Sequence, residues 1–171
     1  MANNIVTIEK KDGERFLRAK TVPFDIEKLK DKSRAKEMRE LVRMMRETMK
    51  QANGIGLSAN QAGIGERFFI AEVPDGQGRQ KFYAIFNPEI VKKSKAMETV
   101  EEGCLSVPNA FGPTPRHYEV TLTGYDIRGK KIKIKAWGLL ARVFQHEVDH
   151  LDGKLFVDKA KELHRVAPER Y

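Results

Sequence analysis

The sequence predicts an α+β chain, in the order long N-terminal helix, several antiparallel strands, C-terminal helix. Three observations carry that expectation. Apolar residues recur at steps of three and four within residues 25–52. Short runs of β-forming residues, divided by turn formers, fill the middle. A second helical pattern returns near the C-terminus and contains His146-Glu147-Val148-Asp149-His150.

At 171 residues the chain is long enough for one domain with a real hydrophobic core. Residues 1–171 are expected to form a single catalytic unit. Hydrophobic residues make up 40% and charged residues 33%, which points to a highly charged surface. Nothing approaches the run of about 18 apolar residues that a membrane helix needs. Met1 to Gly13 has neither an apolar signal core nor an Arg-rich presequence, so a cytoplasmic setting is expected. A single cysteine rules out an internal disulfide framework. The net charge of +8 comes from Lys and Arg scattered end to end. It suits attraction to a polyanion such as ribosomal RNA, but no motif of alternating basic and aromatic residues points to base recognition.

Taken in order, residues 1–24 read as irregular or as a short strand, with Pro23 limiting regular structure. Residues 25–52 read as a helix whose face is Met38, Leu41, Val42, Met45, Met49 and Ala52, with Asn53-Gly54 as its stop. The methionines are core filler. Gly54 to Gly65 holds four glycines in twelve residues, a loop able to approach something closely. It lacks the Gly-Lys-Ser/Thr of a phosphate loop. Arg67–Val73 and Lys81–Phe86 are β-like runs around Pro74-Asp75-Gly76-Gln77-Gly78, and Glu89–Thr99 continues as a polar strand. Pro108, Pro113 and Pro115 make the segment after Ser106 a loop. His117–Tyr125 and Lys131–Ala136 are strands. The C-terminal helix stops at Gly153, and Lys159–Tyr171 is charged and peripheral.

On that last helix Leu139, Leu140, Val143, Phe144, Val148 and Leu151 mark the apolar face. Glu147 falls inside the apolar arc, and His146 and His150 fall at its edge. Arg142, Gln145 and Asp149 project the other way. With four histidines and 24 acidic residues, chance yields this H-[DE]-x-x-H pattern about 0.01 times per chain. Two imidazoles one turn apart can hold one metal ion, with the glutamate beside it. A catalytic site of this type has three protein ligands and one open position. Phe156 occupies the place where one protease class has its third histidine, and it cannot bind metal. Cys104, the only thiol, is the better candidate for the third ligand; Glu169, His117 and His164 remain alternatives.

Three segments in order resemble the motifs of the peptide deformylase family. They are Gly54-Ile55-Gly56-Leu57-Ser58-Ala59-Asn60-Gln61, Glu102-Gly103-Cys104-Leu105-Ser106 and Gln145-His146-Glu147-Val148-Asp149-His150. The resemblance covers nearly the whole chain and implies antiparallel sheets packed around a central C-terminal helix carrying H-E-x-x-H. It implies a hydrolase that removes the N-formyl group from the formylmethionine of newly made polypeptides. It further implies Cys104, His146 and His150 as ligands of Fe(II), with Zn(II) or Ni(II) able to substitute. Glu147 would be the base, and Gln61 with the Leu105 backbone N–H would meet the oxyanion. Gly54, Ile55, Gly56, Gly103, Leu139 and Val143 are expected to contact substrate. A Glu102–Arg116 pair is expected to hold the Cys104 segment. The implied partners are N-formylmethionyl nascent peptides and, weakly, the ribosome, with no role for DNA or a membrane. Three features depart from the pattern: Ser58 replaces a common alanine, Phe111 stands where some members carry arginine, and the tail after Phe156 is short.

Overall fold

In the computed structural model, residues 5–166 are described. Two antiparallel sheets enclose one helix. The elements are α1 (Lys11–Arg18), α2 (Lys32–Gln51), β1 (Gly56–Ser58), β2 (Phe68–Pro74), β3 (Gln80–Lys93), β4 (Met97–Cys104), β5 (Val107–His117), β6 (Glu119–Tyr125), β7 (Lys131–Trp137), α3 (Gly138–Leu151) and β8 (His164–Arg165). The larger sheet runs β1-β2-β3-β6-β7 and the smaller β4-β5-β8.

Strand alternation in β2 shows how the larger sheet is used. Phe69, Ala71 and Val73 point to one face and pack with Ala141, Val143, Phe144, Val148 and Leu151 of α3. Phe68 and Ile70 point to the other and pack with Val42, Met45 and Met49 of α2. The helix expected over 25–52 begins later than its periodicity suggests. A 3-10 turn, Ile26–Leu29, comes first, and Asp31 then caps α2 by accepting from the Arg34 N–H. Asn53, with φ 55°, takes the left-handed position after the helix, in line with the expected stop. Gly153, with φ 74°, does the same after α3.

Several expectations are corrected. Residues 1–24 contain the helix α1. The glycine loop contains β1 and a 3-10 turn, Ala59–Ala62. The polar strand expected over 89–99 divides: its first half ends β3, and Met97 starts β4. The proline-rich segment is the strand β5, paired with β4 from Met97↔His117 to Cys104↔Val107. The carbonyls of Asn109 and Pro113 on its outer edge accept from Val166 and Lys161. Pro113 and Pro115 share that phase, so the N–H each lacks would have faced away from β4. Arg142 and Gln145 do not project to solvent; both are buried because the smaller sheet covers the polar side of α3. Asp149 is largely enclosed there too. Of the charged tail, His164–Arg165 forms β8 against Ala110 and Phe111, and 167–171 lie outside the described residues. No helix among the described residues is long and apolar enough to cross a membrane.

Candidate metal centre

Helix α3 presents His146 and His150 one turn apart, and the end of β4 brings Cys104 to meet them. Cys104 Sγ lies 3.1 Å from His150 Nε2, which lies 3.2 Å from His146 Nε2. All three donor atoms fall within 4.8 Å of one another. A tetrahedral ion with ordinary metal–thiolate and metal–imidazole bonds would space its donors by about 3.3–3.6 Å. The donor set therefore fits a divalent ion with little movement.

The surroundings fix each donor. The His146 Nδ1–H donates to Glu102 Oε2, 3.1 Å away, because a carboxylate only accepts; this turns the Nε2 lone pair toward Cys104 and His150. Glu102 is saturated. Its Oε1 accepts from Arg116 Nε at 2.9 Å and Arg142 Nη1 at 2.7 Å, and its Oε2 also accepts from Arg116 Nη2 at 2.9 Å. Burial works against the Glu102 charge, but the bonds from Arg116 and His146 hold it well below the usual carboxylate range. Asn60 Nδ2 donates to the His150 carbonyl at 2.7 Å and anchors the last turn of α3.

Cys104 titrates well below a normal thiol. Burial opposes this, but His150 and His146 beside it prevail. The thiolate charge lies against His146, whose pKa is raised to about 10, against its burial, by bonds to Cys104 and Glu102. A divalent cation answers the same charge. Glu147 is buried among the donors, and burial lifts its pKa to about 7. Its Oε2 and the Nδ1 of His150 are the buried side-chain atoms left without a partner among the described residues. An orphaned carboxylate oxygen at that spot suits a water or substrate proton.

Beside the donors opens a cavity of about 530 Å³. Gly54, Ile55, Gly56, Gly103, Leu139 and Val143, the expected substrate contacts, all line it. So do Gln61, Cys104, Leu105, His146 and Glu147, while His150 is not among its lining residues. Gly56 leaves space for Glu147: a Cβ there would stand 2.2 Å from Glu147 Oε1. Gln61 is held at both ends. Its Oε1 accepts from the Ser58 N–H at 2.9 Å, and its Nε2 donates to Ser106 Oγ at 3.1 Å and reaches Cys104 Sγ at 3.6 Å. Phe111 forms part of the cavity wall and stacks on His164, with ring centroids 6.2 Å apart.

The alternatives for a third ligand lie elsewhere. His117 gives Nδ1 to the Ser94 carbonyl at 2.7 Å and lines a separate cleft. His164 faces Glu101 at 3.3 Å, and Glu169 lies outside the described residues. Sequence reasoning assigned no role to Ser106, whose N–H lies 3.4 Å from Cys104 Sγ, to Asn60, or to Arg142. The first two were visible only as members of their motifs.

The profile of the polypeptide deformylase family matches residues 3–166. A peptide deformylase of Halothermothrix orenii is 41% identical over 150 residues, covering 88% of this chain and 90% of that protein. A class I type b peptide deformylase from Acinetobacter baumannii, in a crystal structure with Met-Ala-Ser bound, has a similar fold. The TM-score is 0.81 at 29% identity, over 93% of this chain and 98% of that one. The peptide deformylase from Thermotoga maritima gives a TM-score of 0.80 at 32% identity, over 95% and 99%. Similarity that spans both partners nearly end to end places this chain in the polypeptide deformylase family.

Proposed function

We infer that the chain removes the N-formyl group from the formylmethionine of nascent polypeptides through Cys104, His146 and His150 as metal ligands and Glu147 as general base. The activity itself follows from family membership. The observation that carries the residue assignment is the convergence of one thiolate and two imidazoles beside a buried carboxylate. That donor set suits a divalent transition ion, and we take Fe(II) as the native metal, with Zn(II) or Ni(II) able to substitute. When bound, such an ion supplies Lewis acidity and lowers the pKa of water from 15.7 to about 7.

The chain's own groups then divide the work. Glu147 Oε2 accepts a proton from the attacking water as its oxygen bonds to the formyl carbon. It returns that proton to the nitrogen as the C–N bond breaks, leaving formate and a free amine. A carboxyl raised to about 7 can both take and return a proton near neutrality. The Gln61 Nε2–H and the Leu105 backbone N–H meet the developing oxyanion, and loss of one such donor typically costs about 2.7–4 kcal/mol. The bonds from Ser58 and Ser106 hold Gln61 in place beforehand. The backbones of Gly54–Gly56 and Gly103–Leu105 can pair with an extended peptide as with an added strand. A formyl group carries only a hydrogen beyond its carbonyl, so close walls exclude bulkier acyl groups. The +8 charge supports weak attraction to the ribosome, and the setting is taken as cytoplasmic.

The test uses anaerobically purified, iron-loaded protein with formyl-Met-Ala-Ser and with an unblocked protein. Formate release without internal cleavage is expected. Internal cleavage would indicate an endopeptidase, and neither product would leave a metal-stabilised binding protein.

A further inference from the structure

The metal ligands come from two pieces of the fold, β4 and α3, and the joint between those pieces is polar. The apolar side of α3 packs on the larger sheet. The apolar cluster under β4 and β5, built on Val107, Ala110, Leu155 and Phe156, contains no α3 side chain. Besides His150, which meets Cys104 itself, four α3 side chains join the helix to the smaller sheet: Arg142, Gln145, His146 and Asp149. The separation between Cys104 and the two histidines is therefore set by hydrogen bonds and charges.

Arg142 makes the most of these connections. It lies one turn before His146, and it is buried. Nη1 donates to Glu102 Oε1 at 2.7 Å and to the Thr114 carbonyl at 2.9 Å, and Nη2 donates to the Glu98 carbonyl at 2.8 Å. One guanidinium thus ties α3 to both β4 and β5. It also holds the carboxylate that turns His146, two residues ahead of Cys104 on the same strand. The planar fork of arginine suits this divergent task, and a lysine could satisfy only part of it.

We propose that Arg142 is a positioning residue for the metal centre: it fixes the Cys104 strand against the helix of His146 and His150 and aims Glu102 at His146. The proposal rests on those three residues being the ligands. Residues that orient metal ligands typically change metal affinity 10–100-fold when replaced.

The experiment compares the parent with Arg142→Met and Arg142→Lys. Folding is followed by circular dichroism, zinc release by transfer to a chromogenic chelator, and the thiolate-to-cobalt charge-transfer band after cobalt loading. A folded Arg142→Met is expected to release zinc about 10–100-fold faster, with a shifted or weakened thiolate band, and to lose kcat with KM nearly unchanged. Arg142→Lys is expected to recover part of each effect. If Arg142→Met fails to fold, Arg142→Lys carries the test, and it should release zinc faster than the parent. Zinc release and a thiolate band equal to the parent's in a folded Arg142→Met, or in Arg142→Lys where only that folds, would overturn the proposal. A parent protein with no thiolate band at all would instead overturn the ligand assignment beneath it.

Discussion

Glu102 and Arg116 form a two-point ion pair, with 2.9 Å at each contact and both side chains buried. Arg116 continues to Asp149 on α3, so one guanidinium links β4, β5 and the metal-site helix. Removing one partner of a buried pair costs about 3–5 kcal/mol when the other charge is left bare; Arg142 and His146 still contact Glu102 and Lys159 still contacts Asp149, which brings the cost of losing Arg116 to about 3 kcal/mol, the lower end of that range. Arg116→Leu is expected to lose that much stability in urea unfolding, compared with the parent in the same metal state. A change below about 1 kcal/mol, the size of an exposed pair, would mean the pair does not hold the sheet.

Glu147→Gln keeps the size of the side chain and removes the proposed base. We predict one bound metal per chain and formate release lower by about 10²–10⁴-fold. Elemental analysis and formate assay on the same sample check this. Near-parental turnover in the metal-replete variant would take Glu147 out of the mechanism.

Gly56 leaves room for the Glu147 carboxylate, because a Cβ would stand 2.2 Å from Oε1. Gly56→Ala is expected to displace that carboxylate and cut kcat/KM about 100-fold, as misplacement by about 1 Å does. Metal content should stay at the parent level. Unchanged kcat/KM would show that the loop can move aside without disturbing the base.

Away from the site, Glu72 of β2 accepts two bonds from Arg46 of α2, at 2.8 and 2.7 Å. Chiefly through Arg46, its pKa falls from 4.5 to about 2. A carboxyl depressed on folding stabilises the fold above its unfolded pKa, and that contribution is lost as pH falls through the folded value. The Glu72 contribution should therefore decline from about pH 4.5 toward pH 2. Urea midpoints of the parent and Glu72→Gln should differ at pH 6 and converge as pH falls through that window. A gap that stays constant would remove the ion pair as its cause.

Much of this was legible in the chain because periodicity reports which residues must be buried together. The α3 face, the core face of α2 and the glycine stop after α3 follow from polarity at fixed spacing. Periodicity reads one helix against one apolar surface, however, and α3 is enclosed on two sides. Arg142 and Gln145 looked solvent-facing because their partners, Glu102, Thr114 and His117, lie about thirty to forty residues away. Pro113 and Pro115 read as loop formers because local sequence does not say which edge of a strand will be open. The donor set depended on a meeting between β4 and α3 that spacing alone left among four candidates; the motif resemblance selected Cys104, and the structure brings it to the histidines.

The central claim is that Cys104 supplies the thiolate that completes a catalytic metal centre. A bound metal holds a cysteine as thiolate, whereas a serine hydroxyl is a harder and far less acidic ligand. The direct measurement is metal content by elemental analysis beside formate release from formyl-Met-Ala-Ser, for the parent and Cys104→Ser prepared alike under anaerobic conditions. The account predicts about one iron per chain with formate release for the parent, and loss of both for the variant. A Cys104→Ser protein with one tightly bound metal and full activity would contradict it.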